Sequence, residues 1–415
     1  MDDQTSTAPP SMREALGVYA KIGLLSFGGP AGQIALMQGE IVERRGWLRG
    51  TSFDRGLAFS MMLPGPEAQQ LATWIGWRLH GLVGGLAAGL AFILPGAALM
   101  ILLAWIAAAH GEVPWVAAVF AGIQPVVIAV VIGAMRKLAG RALAGPTHVA
   151  LAVAAFVAIY FLGAPFPLIV ALSALAGLAI GTDTGTTTEG GAVAGLARHA
   201  GLTFAVWGLG IATLFVLIRA VFGPEPFDDV AELFLTAAFV TFGGAYAVLP
   251  FVADLAAESY GWLTAAEMLN GLAIAEATPG PLILVNTYAG FFAGWGDGAV
   301  ATAVLTGTLA TVYTFAPSFM MILAFAPIVE HVSSIGWARR ALAGVSAAVV
   351  GVIANLAVYL GEAAFFPMGL ETPEWPKLVL FAVAMGLMLT GKVGVLWMVA
   401  GGALAGLGLH TVGLL

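Results

Sequence analysis

The sequence contains no cysteine and only six histidines among its 415 residues. Without cysteine, disulfide scaffolds, thiolate zinc sites, iron–sulfur clusters and cysteine nucleophiles are excluded. The histidines form no His-x-x-x-His pair, and no Gly-x-x-x-x-Gly-Lys-Ser/Thr loop for nucleotide phosphates is present. Basic residues form no cluster typical of nucleic-acid binding. We therefore expect no metal, no cofactor, no nucleic-acid partner and no enzymatic activity.

Charge is also scarce. Charged residues make up 9% of the chain and hydrophobic residues 60%, whereas soluble domains carry about 25% charged residues. Several apolar stretches reach the roughly 20 residues that cross a bilayer core of about 30 Å as a helix. The sequence predicts an all-α polytopic integral membrane protein. The clearest spans lie at 82–109, 113–135, 199–221, 299–328 and 341–361, and regions 147–181 and 378–413 each have room for two shorter spans.

Three tripeptides recur 215 residues further along the chain. These pairs are Phe27-Gly28-Gly29 with Phe242-Gly243-Gly244, Gly46-Trp47-Leu48 with Gly261-Trp262-Leu263, and Pro64-Gly65-Pro66 with Pro279-Gly280-Pro281. One gapless register holds all three, which predicts an internal duplication. The predicted organisation is a disordered tail at 1–11, a first membrane repeat at 12–181, a polar linker at 182–198, a connecting helix at 199–221 and a second repeat at 222–415.

The charges predict how the two halves are oriented. The loop around Trp47 is basic, whereas its copy around Trp262 lies between Arg219 and Arg339, an interval without Lys or Arg. Because loops with excess Lys and Arg face the cytoplasm, we predict inverted-topology repeats, with 199–221 supplying the odd crossing. The same pattern gives two hypotheses for 12–43 and 57–79: re-entrant segments, or kinked but complete spans.

The repeated Gly and Pro motifs predict helix breaks at membrane depth. Proline lacks the N–H group that continues a helix, and glycine adopts positive φ readily. A half-helix that begins inside the bilayer presents free N–H groups and a positive dipole end, which bind anions. Up to four such ends near the midplane predict an oxyanion site, although the motifs could instead serve only helix packing. The predicted substrate-binding residues are Lys21, Ser26, Phe27, Gly28, Gly29, Pro30, Pro64, Gly65, Pro66, Gln69, Gln70, Thr241, Phe242, Gly243, Gly244, Thr278, Pro279, Gly280, Pro281 and Asn286.

Three of the charged residues have two interpretations each. Lys21 either binds the anion or extends its ammonium to the interface. Glu67 and Glu276 flank the two Pro-Gly-Pro motifs, and carboxylates at membrane depth are usually functional. They are candidates for proton coupling, the alternative being a hydrogen-bonded carboxylate at a helix start.

Together these motifs resemble those of the chromate ion transporter family in its long, two-domain form. The resemblance rests on Ser26-Phe27-Gly28-Gly29-Pro30, on the run Leu63–Ala72 (LPGPEAQQLA), and on Thr241–Tyr246 and Ala277–Pro281 in the second half, and covers roughly residues 12–413. The second half departs from the first, with Ala245 in place of Pro30 and Leu282 in place of Glu67.

The resemblance implies export of chromate across the bacterial inner membrane, driven by the electrochemical gradient and giving chromate resistance. Sulfate is similar to chromate in shape and is a natural second substrate. The alternatives are a sulfate or other anion permease working as an importer, an anion channel of the same architecture, and an integral-membrane enzyme. The expected partners are the oxyanion, the lipid bilayer and, in a homodimer, a second copy of the chain.

Overall fold

The computed structural model describes residues 10–27, 29–180, 193–242, 244–296, 298–328, 336–369 and 371–414. Across these ranges the chain forms α-helices and no β-strand, which confirms the all-α prediction. The predicted tail, except for residues 10 and 11, and most of the predicted linker lie outside the described residues. So do two predicted site residues, Gly28 and Gly243.

Among the described residues, seven α-helices end before the predicted linker and nine begin after residue 192. The first set is α1 (Met12–Leu25), α2 (Gly29–Met37), α3 (Gly50–Ser60), α4 (Glu67–His110), α5 (Pro114–Ala142), α6 (Pro146–Leu162) and α7 (Phe166–Ile180). The others are α8 (Val193–Phe222), α9 (Phe227–Val240), α10 (Ala245–Asp254), α11 (Ala265–Ala277), α12 (Val285–Ala293), α13 (Val300–Phe325), α14 (Gly336–Phe365), α15 (Trp375–Thr390) and α16 (Val395–Thr411).

The long apolar helices lie where the sequence predicts spans. Among the described residues, five helices are long and apolar enough to cross a membrane: Glu67–His110, Pro114–Ala142, Arg198–Phe222, Val300–Phe325 and Arg339–Phe365. Regions 147–181 and 378–413 each contain two shorter apolar helices, as predicted. The fold is therefore that of a polytopic membrane protein.

Helix α4 is a hairpin of two arms. His80 and Gly81 have non-helical torsion angles, with φ of 61° and ψ of −153° at Gly81. The arms touch where a Cβ on Gly76 would lie 2.2 Å from the carbonyl oxygen of Gly84. The first arm, 67–79, is about 20 Å long at 1.5 Å per residue, too short to cross the bilayer core. This geometry fits the re-entrant hypothesis for 57–79.

Unusual backbone conformations repeat at the spacing of the sequence motifs. A π-helical segment follows both α2 and α10, at Gln38–Glu43 and Leu255–Ser259. Glycines with positive φ also recur in pairs 215 residues apart: Gly29 and Gly244, Gly46 and Gly261, Gly65 and Gly280. The duplication therefore extends from the sequence to local geometry.

Several close helix contacts join one half to the other. Gly122 of α5 packs against α16, where a Cβ on Gly122 would lie 2.2 Å from the carbonyl oxygen of Gly402. Gly344 of α14 packs against α7 in the same way, with 2.3 Å between a Cβ on Gly177 and the carbonyl oxygen of Arg340. Small residues allow such close approach of helices in membranes. Each half thus completes the packing of the other.

Candidate functional site at the paired helix breaks

All four predicted breaks are present in the described chain. Helix α1 ends at Leu25 and α2 starts at Gly29, while the first arm of α4 starts directly after Pro64-Gly65-Pro66. In the second half, α9 ends at Val240 before α10, and residues 279–281 precede a short 3-10 turn and α12. The φ values of Gly65 and Gly280, 121° and 100°, are ones that residues with a Cβ rarely adopt.

The breaks of the two halves are hydrogen bonded to each other. The N–H of Gly280 donates to the carbonyl oxygen of Ser26 at 3.0 Å, and the N–H of Gly65 donates to that of Thr241 at 2.7 Å. Ser26 corresponds to Thr241, and Gly65 to Gly280, in the 215-residue register. Each Pro-Gly-Pro motif therefore binds the residue directly before the Phe-Gly-Gly motif of the opposite half. The exchange satisfies backbone groups that have no helical partner and no water at this depth.

The pair of breaks joined by Gly280 and Ser26 contains a buried side-chain amide that the sequence analysis missed. Gln33 of α2 is 1% exposed, and its Nε2 donates to the carbonyl oxygen of Gly280 at 2.7 Å. Helix α4 packs tightly against this break, because a Cβ on Gly96 would lie 2.1 Å from the carbonyl oxygen of Pro279. The sequence feature that could have identified Gln33 is its place as a single amide in an apolar segment, three residues after Pro30.

At the pair of breaks joined by Gly65 and Thr241, side chains from α4 and α13 form further hydrogen bonds. Gln70 Nε2 donates to the carbonyl oxygen of Pro64 at 2.8 Å. Gln69 Nε2 donates to Thr73 Oγ1 at 2.9 Å, and Ser318 Oγ donates to Gln69 Oε1 at 2.6 Å. The two predicted glutamines thus lie at the break, and Ser318 of α13 is a further residue of this site.

The predicted hydroxyl and amide donors are engaged with the protein. Ser26 Oγ donates to the carbonyl oxygen of Ile22 and Thr241 Oγ1 to that of Ala237, both at 2.5 Å. Thr278 Oγ1 donates to a helix carbonyl at 3.3 Å, and Asn286 Nδ2 to a threonine hydroxyl at 3.1 Å. These side chains therefore fix the helix ends.

The remaining predicted residues lie around these contacts. Pro66, Pro279 and Pro281 are buried. Partly exposed members of the predicted set are Phe27, Gly29, Pro30, Pro64, Phe242 and Gly244.

Lys21 lies in a basic cluster near the loop that follows α2. Its Nζ is 2.8 Å from Glu40 Oε1, and Arg44 Nη1 is 2.6 Å from the same oxygen. Arg45 bonds the second oxygen of Glu40, whose side chain is 3% exposed. In this structure the Lys21 ammonium therefore neutralises a carboxylate.

The two candidate proton-coupling carboxylates have different surroundings. Glu276 is 4% exposed and accepts a hydrogen bond from the Tyr246 hydroxyl, one residue into α10. Glu67 is partly buried at the first position of its half-helix. The positive end of the helix dipole stabilises a negative charge at this position.

The fold and the site together define a membrane protein with irregular backbone buried at its centre, an arrangement typical of secondary transporters. The chromate transporter family profile matches the chain twice, at residues 14–178 and 229–407. The chain belongs to this family.

Relatives of similar length support the assignment. The chain is 31% identical over 377 residues to a chromate transport protein of Pseudomonas aeruginosa, covering 87% of this chain and 84% of the relative. It is 24% identical over 418 residues to a chromate transport protein of Cupriavidus metallidurans, covering 97% and 94%. No solved structure matches the chain.

Proposed function

We propose that this protein is a secondary transporter that exports chromate across the bacterial inner membrane. The observation that carries the proposal is the reciprocal pairing of Gly280 with Ser26 and of Gly65 with Thr241, which places broken helices of both halves in the buried core. Half-helix N-termini bind anions through backbone N–H groups without a fixed cation. Family membership and relatives named as chromate transport proteins identify the anion.

We also propose that the halves, residues 12–181 and 222–415, are inverted repeats joined through the linker at 182–198 and the helix at 199–221. Reciprocal hydrogen bonds and reciprocal helix packing support a two-fold relation between them. The basic loop around Trp47 and the acidic copy around Trp262 support its inverted sense. Alternating access then follows from movement of one repeat against the other.

The membrane potential supplies the driving force in this proposal. Moving a dianion out of a cell with a negative interior is favoured by about 4.6 kcal/mol per 100 mV. In inside-out vesicles, whose lumen corresponds to the cell exterior, we expect radiolabelled chromate to accumulate when the lumen is made positive. Unlabelled sulfate should compete with chromate for uptake if the site recognises only the charge and the tetrahedral shape of the anion.

Other flux results would replace this function with an alternative. Accumulation of sulfate with exclusion of chromate indicates a sulfate permease, and uptake only in right-side-out vesicles indicates an importer. Flux that runs down to equilibrium at channel rates indicates an anion channel. If neither anion moves, the assignment is wrong.

A proton requirement would reside in Glu276 or Glu67. We expect the Glu276→Gln substitution to remove the pH dependence of chromate flux, because the amide keeps a hydrogen bond with Tyr246 but cannot take up a proton. Glu67→Gln should have the smaller effect, since its carboxylate is already favoured by a helix start. Initial rates between pH 5.5 and 8.5 measure the response.

A matched control is the exposed pair in which Tyr359 donates to Glu258 Oε1 at 3.1 Å. Glu258→Gln should leave the pH profile unchanged. A wild-type profile in both Glu276→Gln and Glu67→Gln would remove proton coupling through these residues.

A further inference from the structure

A second polar site lies away from the helix breaks. A cavity of about 1010 Å³ opens between the C-terminal end of α4 and the N-terminal parts of α5, α11 and α15. None of the predicted site residues that the structure describes lines it. The long arm of α4, 82–110, is about 43 Å long and leads away from the turn at Gly81. The cavity therefore opens at the face opposite that turn.

The cavity extends from this face toward the second Pro-Gly-Pro motif. Gln124, which lines it, lies ten residues into α5, about 15 Å from the start of that helix. Tyr288 lines the inner part and belongs to the first turn of α12, seven residues after Pro281. The cavity thus reaches from the surface to α12, the helix that follows the second Pro-Gly-Pro motif.

Hydrogen-bond donors are concentrated in the inner part. Lys377 Nζ donates to Gln124 Oε1 at 3.3 Å, and Gln124 Nε2 donates to Asn270 Oδ1 at 3.0 Å. No carboxylate of the described residues forms a salt bridge with Lys377. The Tyr288 hydroxyl is fully buried and has no partner among the described atoms. A buried unpaired hydroxyl is costly unless a guest binds it.

Carboxylates occur toward the outer end. Glu112 is exposed in the loop between α4 and α5. Glu267 is already engaged in the first turn of α11, where its Oε2 accepts from Thr264 N at 2.7 Å and from Thr264 Oγ1 at 2.9 Å. Negative charge at the opening disfavours tight binding of an anion and favours its departure. Conduction requires such weak binding at an exit.

We propose that this cavity is an exit vestibule with a second, low-affinity site for a tetrahedral oxyanion dianion, bound by the Lys377 ammonium and the Tyr288 hydroxyl. The proposal rests on the proposed transport of chromate for its biological meaning. The site itself is defined by the cavity, by the Lys377 ammonium, which donates to Gln124 and forms no salt bridge among the described residues, and by the unpaired hydroxyl.

The absence of native cysteine allows a direct binding test. Ala121 lines the cavity one helical turn before Gln124, and the Ala121→Cys variant would be labelled from the outer face with an impermeant maleimide. Molybdate and sulfate serve as probes, because neither oxidises the thiol. We expect saturating molybdate to slow labelling at least fivefold. In the Ala121→Cys background, Lys377→Met should shift the protecting concentration upward about 10- to 100-fold, as for a lost charge-assisted hydrogen bond.

Three variants distinguish a binding role from a change in packing. Lys377→Arg should retain protection, and Tyr288→Phe should weaken it about 2- to 10-fold, as for a neutral hydrogen bond. Lys392→Met, which removes an exposed ammonium after the other end of α15, should leave protection unchanged.

The outcomes separate this proposal from the proposed function. Equal labelling with and without molybdate, or equal protection after Lys377→Met, would overturn the vestibule even if chromate flux is observed. Protection that depends on Lys377 supports the site even if the vesicles fail to accumulate chromate, and in that case the substrate assignment alone is lost.

Discussion

Alanine in place of Gly65 or Gly280 is expected to lower chromate flux about 10- to 100-fold. At Gly65, φ is 121° and an added Cβ would lie 2.8 Å from Gln70 Nε2 and 3.0 Å from Ser318 Oγ. At Gly280, φ is 100° and the Cβ would lie 2.9 Å from Leu284 Cδ1. Backbone strain of this kind costs about 1–3 kcal/mol, and the displaced peptide would lose its hydrogen bond to the opposite half. Initial flux per correctly inserted protein measures the effect.

The matched control is Gly261→Ala. Gly261 has a positive φ of 62°, and no atom lies within 4 Å of an added Cβ. Its strain is that of an ordinary left-handed residue in open space, so flux should fall less than about threefold. If all three substitutions reduced flux equally, the paired breaks would have no special role in transport.

Much of the fold can be predicted from hydropathy, because a membrane-spanning helix is a long continuous run of apolar residues in the sequence. The span predicted at 82–109 corresponds to the long arm of α4, and the span predicted at 113–135 lies within α5 except for its first residue. Short helices such as α9 and α12 are less visible. They are interrupted by Gly and Pro before reaching spanning length, so hydropathy alone does not delimit them.

The candidate site was predictable only in part. The Phe-Gly-Gly and Pro-Gly-Pro motifs identify the breaks, because glycine and proline carry their own backbone preferences. Which breaks pair is a property of tertiary structure, and nothing local in the sequence relates Gly280 to Ser26. The same limit applies to Lys21, whose partner Glu40 comes from the next helix.

The vestibule could not be predicted from the sequence, for a related reason. Its inner wall joins Gln124, Asn270 and Lys377, which lie on three helices far apart in the chain. No one of them belongs to a motif, and an isolated Lys near a helix start is usually an interfacial anchor. Only the three-dimensional arrangement shows that their polar atoms meet.

Leucine in place of Gly122 is expected to cause a large loss of stability. An added Cβ would lie 2.2 Å from the carbonyl oxygen of Gly402 and 2.6 Å from the Cα of Gly406. Both obstacles are backbone, so α5 and α16 would have to separate. Overpacking of this kind costs typically about 1–3 kcal/mol and occasionally more. We expect little folded protein after detergent extraction and a midpoint of thermal unfolding several degrees lower in what remains.

The equivalent substitution in the other half, Gly344→Leu, is expected to have the same effect, since a Cβ there would lie 2.2 Å from the carbonyl oxygen of Ser173. Gly401→Leu is the matched control, because Gly401 is exposed, adjoins the contact residue Gly402 and has no atom within 4 Å of an added Cβ. It should extract and melt like the native protein. Loss in Gly122→Leu without loss in Gly344→Leu would mean that the two halves do not stabilise each other equally. That result would argue against the two-fold exchange of helices on which alternating access depends.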